Sequence, residues 1–338
     1  MSRKSKIWNG AVLLFCAAAL IGSILTAGKP AHFREALRSV HPAFLAGALG
    51  CMVGYWALES VCLHLAAQKL YPAQRMADSV TVAMIGQLFN CVTPFASGGQ
   101  PAQVMGLMRR GMPAGKASSA LVGKFIVYQV VLSLYSLVAL TGRAYFTQLQ
   151  GITPLVMTGF AVNAAVMAGL LGICFFPALS RRAALWALRL CGRLRLLKDP
   201  QRTEEAVLRE LNAFYESFQA LRQSPALILK LAVLSALQLT AFFVAPYFVC
   251  RALGSSLSLA AALCAGAFVL MISSFVPLPG GSGGAEGGFF FFFHLFFPSA
   301  ALVGLALLLW RAVTFYLPIV AGGCFWATDK RPRLRRPV

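Results

Sequence analysis

Apolar runs of membrane-spanning length recur along the whole chain, and that recurrence restricts it to an all-α integral membrane fold. A helix of about 20 mostly apolar residues crosses the hydrocarbon core. Runs of that kind lie at roughly 7–27, 42–64, 117–141, 152–176, 226–250 and 299–325. In lipid, backbone N–H and C=O groups must be satisfied within the segment itself, which favours helices over open sheets. Charged residues make up only 12% of the chain, against about 25% in soluble domains, too few to cover a water-facing surface. The run at 7–27 follows a basic start, Met1 to Lys6, as a signal peptide does. It exceeds the roughly 7–15 apolar residues of a signal peptide and reads as a retained helix.

Two further apolar segments, roughly 78–108 and 257–297, are broken by Gly and Pro. The first contains Thr93-Pro94-Phe95-Ala96-Ser97-Gly98-Gly99-Gln100-Pro101, the second Leu278-Pro279-Gly280-Gly281-Ser282-Gly283-Gly284-Ala285-Glu286. Both hold Pro-x-x-Ser-Gly-Gly, with Pro94 and Pro279 standing 185 positions apart. The same offset carries 42–64 onto 227–249 and 117–141 onto 302–326, both apolar runs. The expected architecture is therefore about six spanning helices plus two broken segments, re-entrant or discontinuous. They form one polytopic domain over 1–338, with a first half at 1–150 and a second at 151–338. Three spans and one break per half make the repeat inverted, and matched interrupted segments in the two halves point to a transporter binding site.

Lys and Arg total 30 against 10 Asp and Glu, a net charge of +20. The cations lie between apolar runs without interleaved stacking aromatics, so no nucleic-acid partner is expected. The positive-inside rule accounts for them. Arg3, Lys4, Lys6, Lys69, Arg75, Arg109, Arg110, Lys116, the 181–198 cluster and the 330–336 tail fall on one side if both broken segments dip in and return. That side is the cytoplasm, with both termini on it, in a bacterial inner membrane. Lys29, Arg34 and Arg38 are exceptions in the first opposite loop. The polar stretch 178–224 begins with a Leu/Trp/Arg mixture suited to an anionic lipid surface at the cytoplasmic leaflet. It continues with Val207, Leu211, Phe214, Phe218 and Leu221 on one helical face, with Thr203 as its expected N-cap. Nine cysteines without a CxxC pair and four scattered histidines suggest no metal and no cofactor.

Candidate ligand contacts gather at the breaks. Gly98, Gly99, Gly283 and Gly284 would let backbone N–H groups approach a phosphate. Small residues equally serve tight helix packing. Asn90, Ser97, Gln100, Gln103 and Ser282 add polar groups in the same motifs. Glu59, Lys124, Glu286 and Arg311 lie in or beside apolar runs, where ionisable groups are expensive and functional by default. Lys124 maps by the offset to Leu309, two residues from Arg311. Glu286 and Arg311 either pair to hold the fold or meet a headgroup. The Phe289 to Phe293 run reads as lipid-facing bulk. No catalytic residue is expected.

With these residues in view the chain resembles a known family. Asn90-x-x-Thr93-Pro94-Phe95-x-Ser97-Gly98-Gly99-Gln100-Pro101-x-Gln103, Lys124-Phe125, Tyr128-Gln129, Pro277-x-Pro279-Gly280-Gly281-Ser282-Gly283-Gly284-x-Glu286, Arg311 and Pro318 are similar to the flippase-like membrane domain of lysylphosphatidylglycerol synthases. The resemblance covers nearly the whole chain. It implies a membrane phospholipid as partner and passage of aminoacylated or related anionic phospholipids between leaflets. In full-length synthases a soluble C-terminal domain attaches lysine to phosphatidylglycerol. Here the sequence ends at Val338 without one, so lysyltransferase activity is not expected. The alternatives are the membrane component of phosphatidylglycerol lysyltransferase, tied to lysylphosphatidylglycerol synthesis and cationic peptide resistance, or a scaffold for an envelope enzyme.

Overall fold

A computed structural model describes residues 40–146, 152–193, 200–274 and 276–329. The expected span at 7–27 and the basic tail from Lys330 lie outside the described residues. Eleven helices make up the described chain: α1 Pro42–Leu70, α2 Met76–Val92, α3 Gly99–Met108, α4 Ala114–Ala139, α5 Ile152–Phe175, α6 Pro177–Arg193, α7 Pro200–Arg222, α8 Pro225–Ala252, α9 Leu259–Ser273, α10 Gly284–Phe293 and α11 Ala300–Thr328. Five are long and apolar enough to span: α1, α4 continued to Gly142, α5, α8 and α11. This is an all-α membrane protein, with shorter apolar helices between its spans.

Local sequence sets the helix ends. Pro42 and Pro225 open α1 and α8 at the first turn, where a missing N–H costs nothing. Ser258 and Ser299 cap α9 and α11 by accepting from Ala261 N and Leu302 N. α7 begins at Pro200, so Thr203 lies inside its first turn and is not the N-cap. α11 carries one π turn over Ala312–Tyr316, just before Pro318, whose ring forbids the regular bond to Thr314.

The broken segments are helical hairpins. A Cβ on Gly99 would collide with the Asn90 side chain, one on Gly86 with Gln103, and one on Gly106 would sit 2.9 Å from Val82. These pairings run in opposite directions along α2 and α3, so the two helices lie antiparallel with small residues between them. α9 and α10 pack the same way, through Gly281 and Gly284 against Ser273 and Gly288 against Val269. The chain therefore turns back at each break instead of continuing through it.

α1 and α8 form the central antiparallel pair, from the His41 N to Ala252 O bond at 2.9 Å through Gly47 against Phe248 to Tyr55 beside Phe242 at 5.4 Å. α7 packs its apolar face on α4, where Gly115 and Gly123 leave room for the Glu210 backbone and Leu221. The Glu210 carboxylate accepts from Gly115 N at 2.5 Å. The Phe289 to Phe293 run is mostly core and not lipid-facing bulk. Phe289, Phe292 and Phe293 are fully buried, with Phe289 stacked on Trp310 at 4.9 Å, and only Phe290 is exposed. A ten-residue helix returning into the bundle has neighbours on most faces, which a phenylalanine run cannot reveal.

Candidate functional site

The two hairpin tips meet. Pro94 and Pro279 form an isolated antiparallel bridge. Each tip is closed by the same bonds at positions 185 apart. Ala96 N donates to Thr93 O at 3.2 Å and Gly281 N to Leu278 O at 3.0 Å. The hydroxyls of Ser97 and Ser282 donate to the carbonyls of Pro94 and Pro279 at 2.9 and 2.8 Å. The serines of the shared motif thus lock their own turns. The N–H of Gly98 donates to Thr93 Oγ1 at 2.8 Å and that of Gly283 to Glu286 Oε2 at 2.6 Å, so both are already engaged.

Beside the tips lies a cavity of about 760 Å³, walled by α4, α5, α8, α9 and α11. This falls within the range of small-molecule sites, roughly 300–1,000 Å³. Most of the wall is apolar or aromatic, including Phe95, Phe125, Tyr128 and Phe242. Its polar groups come from several helices: Asn90, Gln129, Asn163, Ser273, Ser274, Thr314 and Arg311. Gln129 Nε2 donates to Asn163 Oδ1 at 3.2 Å, and Asn163 Nδ2 donates to Ser274 Oγ at 3.0 Å, a ladder linking α4, α5 and α9.

Arg311 is the charged side chain on that wall and is only 4% exposed. Its Nε donates to Glu286 Oε1 at 2.7 Å and its Nη1 to Gly280 O at 3.3 Å. The guanidinium also lies over the rings of Phe315 and Trp310, at 5.0 and 5.4 Å. Nη2 is ion-paired with the same Glu286 oxygen at 2.6 Å, so Glu286 and Gly280 are the acceptors that the five N–H groups meet among the described residues. A buried guanidinium at a cavity wall, with a second N–H on each terminal nitrogen beyond these contacts, offers a charge-assisted bond to an anionic oxygen.

Lys124 belongs to a different cluster. Its ammonium donates to Glu59 Oε1, which also accepts from Gln103 Nε2 at 3.2 Å. Gln238 Nε2 donates to Glu59 Oε2 at 3.1 Å. Lys124 and Glu59 are 4% and 8% exposed, within the packing of α1, α3, α4 and α8.

Of the residues expected at the ligand, Asn90 and Arg311 line the cavity. Glu286 stands behind Arg311. Gln103 and Lys124 are held by Glu59, and Ser97 and Ser282 by their turns. Gly98, Gly99, Gly283 and Gly284 serve close packing or internal bonds, and Gln100 is half-buried away from the wall. Sequence reasoning passed over Asn163, Ser273, Ser274 and Thr314. A lone amide inside an otherwise apolar run was the available signal for Asn163.

The sequence model of the family described as "Lysylphosphatidylglycerol synthase TM region" matches residues 7–322. The chain belongs to that family. It is also similar to a "UPF0104 membrane protein" from Archaeoglobus fulgidus, 26% identical over 280 residues, covering 80% of this chain and 81% of the relative. This member of the family therefore presents a largely apolar cavity, set with a few polar side chains and Arg311, where its two glycine-rich hairpins touch.

Proposed function

We propose that the protein binds the headgroup of a membrane phospholipid in the cavity beside the hairpin tips and passes it between leaflets. The carrying observation is Arg311, buried on the cavity wall with more N–H groups than the Glu286 and Gly280 oxygens occupy. A phosphate oxygen would accept from the remaining N–H groups, and the aromatic wall suits the chains beside it. Family membership supports a lipid-handling role.

The two halves form an inverted repeat in this reading. Hairpin α2–α3 starts on the face where Arg110 pairs with Asp78 at 2.9 Å and Asp329 at 3.4 Å. Following α4, α5 and α8 across in turn, hairpin α9–α10 starts from the other face. There Ser255 Oγ donates to Phe296 O at 2.9 Å. The Arg110 face also bears Lys69, Arg75 and Lys116 and is assigned to the cytoplasm. On that face α6 exposes Leu179, Trp186 and Leu190, bordered along the helix by Arg182 and Arg189. It suits the anionic cytoplasmic leaflet.

Arg311→Gln is the test. Purified variant and wild type are compared for co-purified lipid by native mass spectrometry. In proteoliposomes, dithionite reports the sidedness of NBD-labelled phosphatidylglycerol. The variant should retain less lipid and move the probe more slowly while keeping its fold. Equal retention and equal movement in a folded variant refute the reading. Gly284→Val, which would also leave the charge unchanged, is unsuitable. A Cβ there would already strike Val276.

A further inference from the structure

The two tips share a backbone but not a chemistry. Phe95 and Ala96 adopt φ of 54° and 52°, and Gly280 and Gly281, each 185 positions on, adopt 61° and 63°. That left-handed conformation is free for glycine and costly for a residue with a Cβ. The second tip carries no such strain, whereas the first holds two side chains against it. Strain retained beside a cavity is a pointer to function, drawn from an observed outlier.

The surroundings explain why the tips differ. A Cβ at Gly280 would collide with the ring of Phe315. The bare backbone there instead lets Arg311 reach the Gly280 carbonyl. The first tip has the opposite character. Phe95 is 58% exposed, far more than the fully buried phenylalanines of α10, and lies on the same cavity wall as Phe125 and Tyr128. The second tip thus builds the charged floor of the cavity, and the first presents an uncovered ring over its apolar part.

We infer that Phe95 is a specificity-determining contact for the lipid's acyl region. Its ring covers the chain segment next to the headgroup and sets which chains the cavity retains. This rests on the headgroup reading at Arg311, and the experiment separates the two. Wild type, Phe95→Ala, Phe95→Leu, Ala96→Gly and Arg311→Gln are reconstituted with an equimolar mixture of short-, medium- and long-chain phosphatidylglycerols. Bound lipid is read by native mass spectrometry and fold by near-UV circular dichroism.

Phe95→Ala should lower retention about ten-fold, the scale of exposing one large apolar contact, and flatten the preference among chain lengths. Phe95→Leu should recover part of both. Ala96→Gly relaxes the neighbouring strained position without touching the ring and should keep the wild-type preference. If Phe95→Ala or Phe95→Leu folds and keeps wild-type retention and preference while Arg311→Gln loses lipid, the ring merely faces the bilayer and the inference fails. Uniform loss with the chain preference intact also overturns it, because the ring then only props the tip. If Arg311→Gln retains lipid like wild type, the parent reading fails instead.

Discussion

Replacing Glu59 with alanine should destabilise the protein more than most single changes. The carboxylate accepts from three donors: the Lys124 ammonium and the amides of Gln103 and Gln238 at 3.2 and 3.1 Å. Removing it leaves a 4%-exposed ammonium without its counter-ion. Breaking a buried ion pair from one side costs roughly 3–5 kcal/mol. The two amides add less, because interhelical hydrogen bonds in membranes average about 0.6 kcal/mol. The expected loss for Glu59→Ala is therefore about 4 kcal/mol. The double change Glu59→Leu with Lys124→Met removes both charges and keeps volume, a replacement that is often neutral or stabilising. A double-mutant cycle should return a coupling of about 3 kcal/mol, measured by SDS-driven unfolding in mixed micelles followed by circular dichroism. If Glu59→Ala lies within about 1 kcal/mol of wild type, the cluster does not tie α1, α3, α4 and α8 together, and the buried-pair reasoning is wrong.

Gly280→Ala should cost about 3 kcal/mol, summing a left-handed alanine at roughly 1–2 kcal/mol and an overpacked Phe315 contact at roughly 1–3 kcal/mol. The same unfolding assay checks it, and a neutral result would show that the second tip is not pinned. For topology, the exposed positions Gln68 and Ala300 should lie on opposite membrane faces. An impermeant maleimide on intact cells should label Ala300→Cys but leave Gln68→Cys until permeabilisation, and the reverse pattern would refute the cytoplasmic assignment.

The apolar runs were legible because span length is a solvent requirement, nearly independent of tertiary context. Pro and Gly marked both breaks for the same local reason. The return of the chain at each break was open in sequence, because Gly86, Gly99 and Gly106 acquire meaning only against Asn90, Gln103 and Val82. The candidate site was legible only in the two expected residues that line the cavity. Arg311 stood out as an ionisable residue in an apolar run, and Asn90 by its place in the motif. Ser97 and Ser282 looked like ligand groups because a hydroxyl beside two glycines does not announce that it bonds back to its own proline. Gln129 and Asn163 could not be paired, since they lie 34 residues apart on two different helices.

On the proposed inverted repeat, Lys124 and Arg311 take matching places but do different work. Each lies on the long helix that follows a hairpin, and each reaches that hairpin's return helix. Arg311 does so directly, through Glu286 on α10, and keeps a face on the cavity. Lys124 does so through Glu59, which gathers Gln103 of α3 and Gln238 of α8 into the same cluster away from the cavity wall. The first half thus uses its buried charge to fasten a hairpin to the central helix pair. The second half uses its charge to build part of the cavity wall. Neutralising Lys124 together with Glu59 should then register in stability and leave lipid retention near wild type, whereas neutralising Arg311 should register in retention. That separation follows from where the two cations sit, although the 185-residue offset puts them at nearly the same point in their halves.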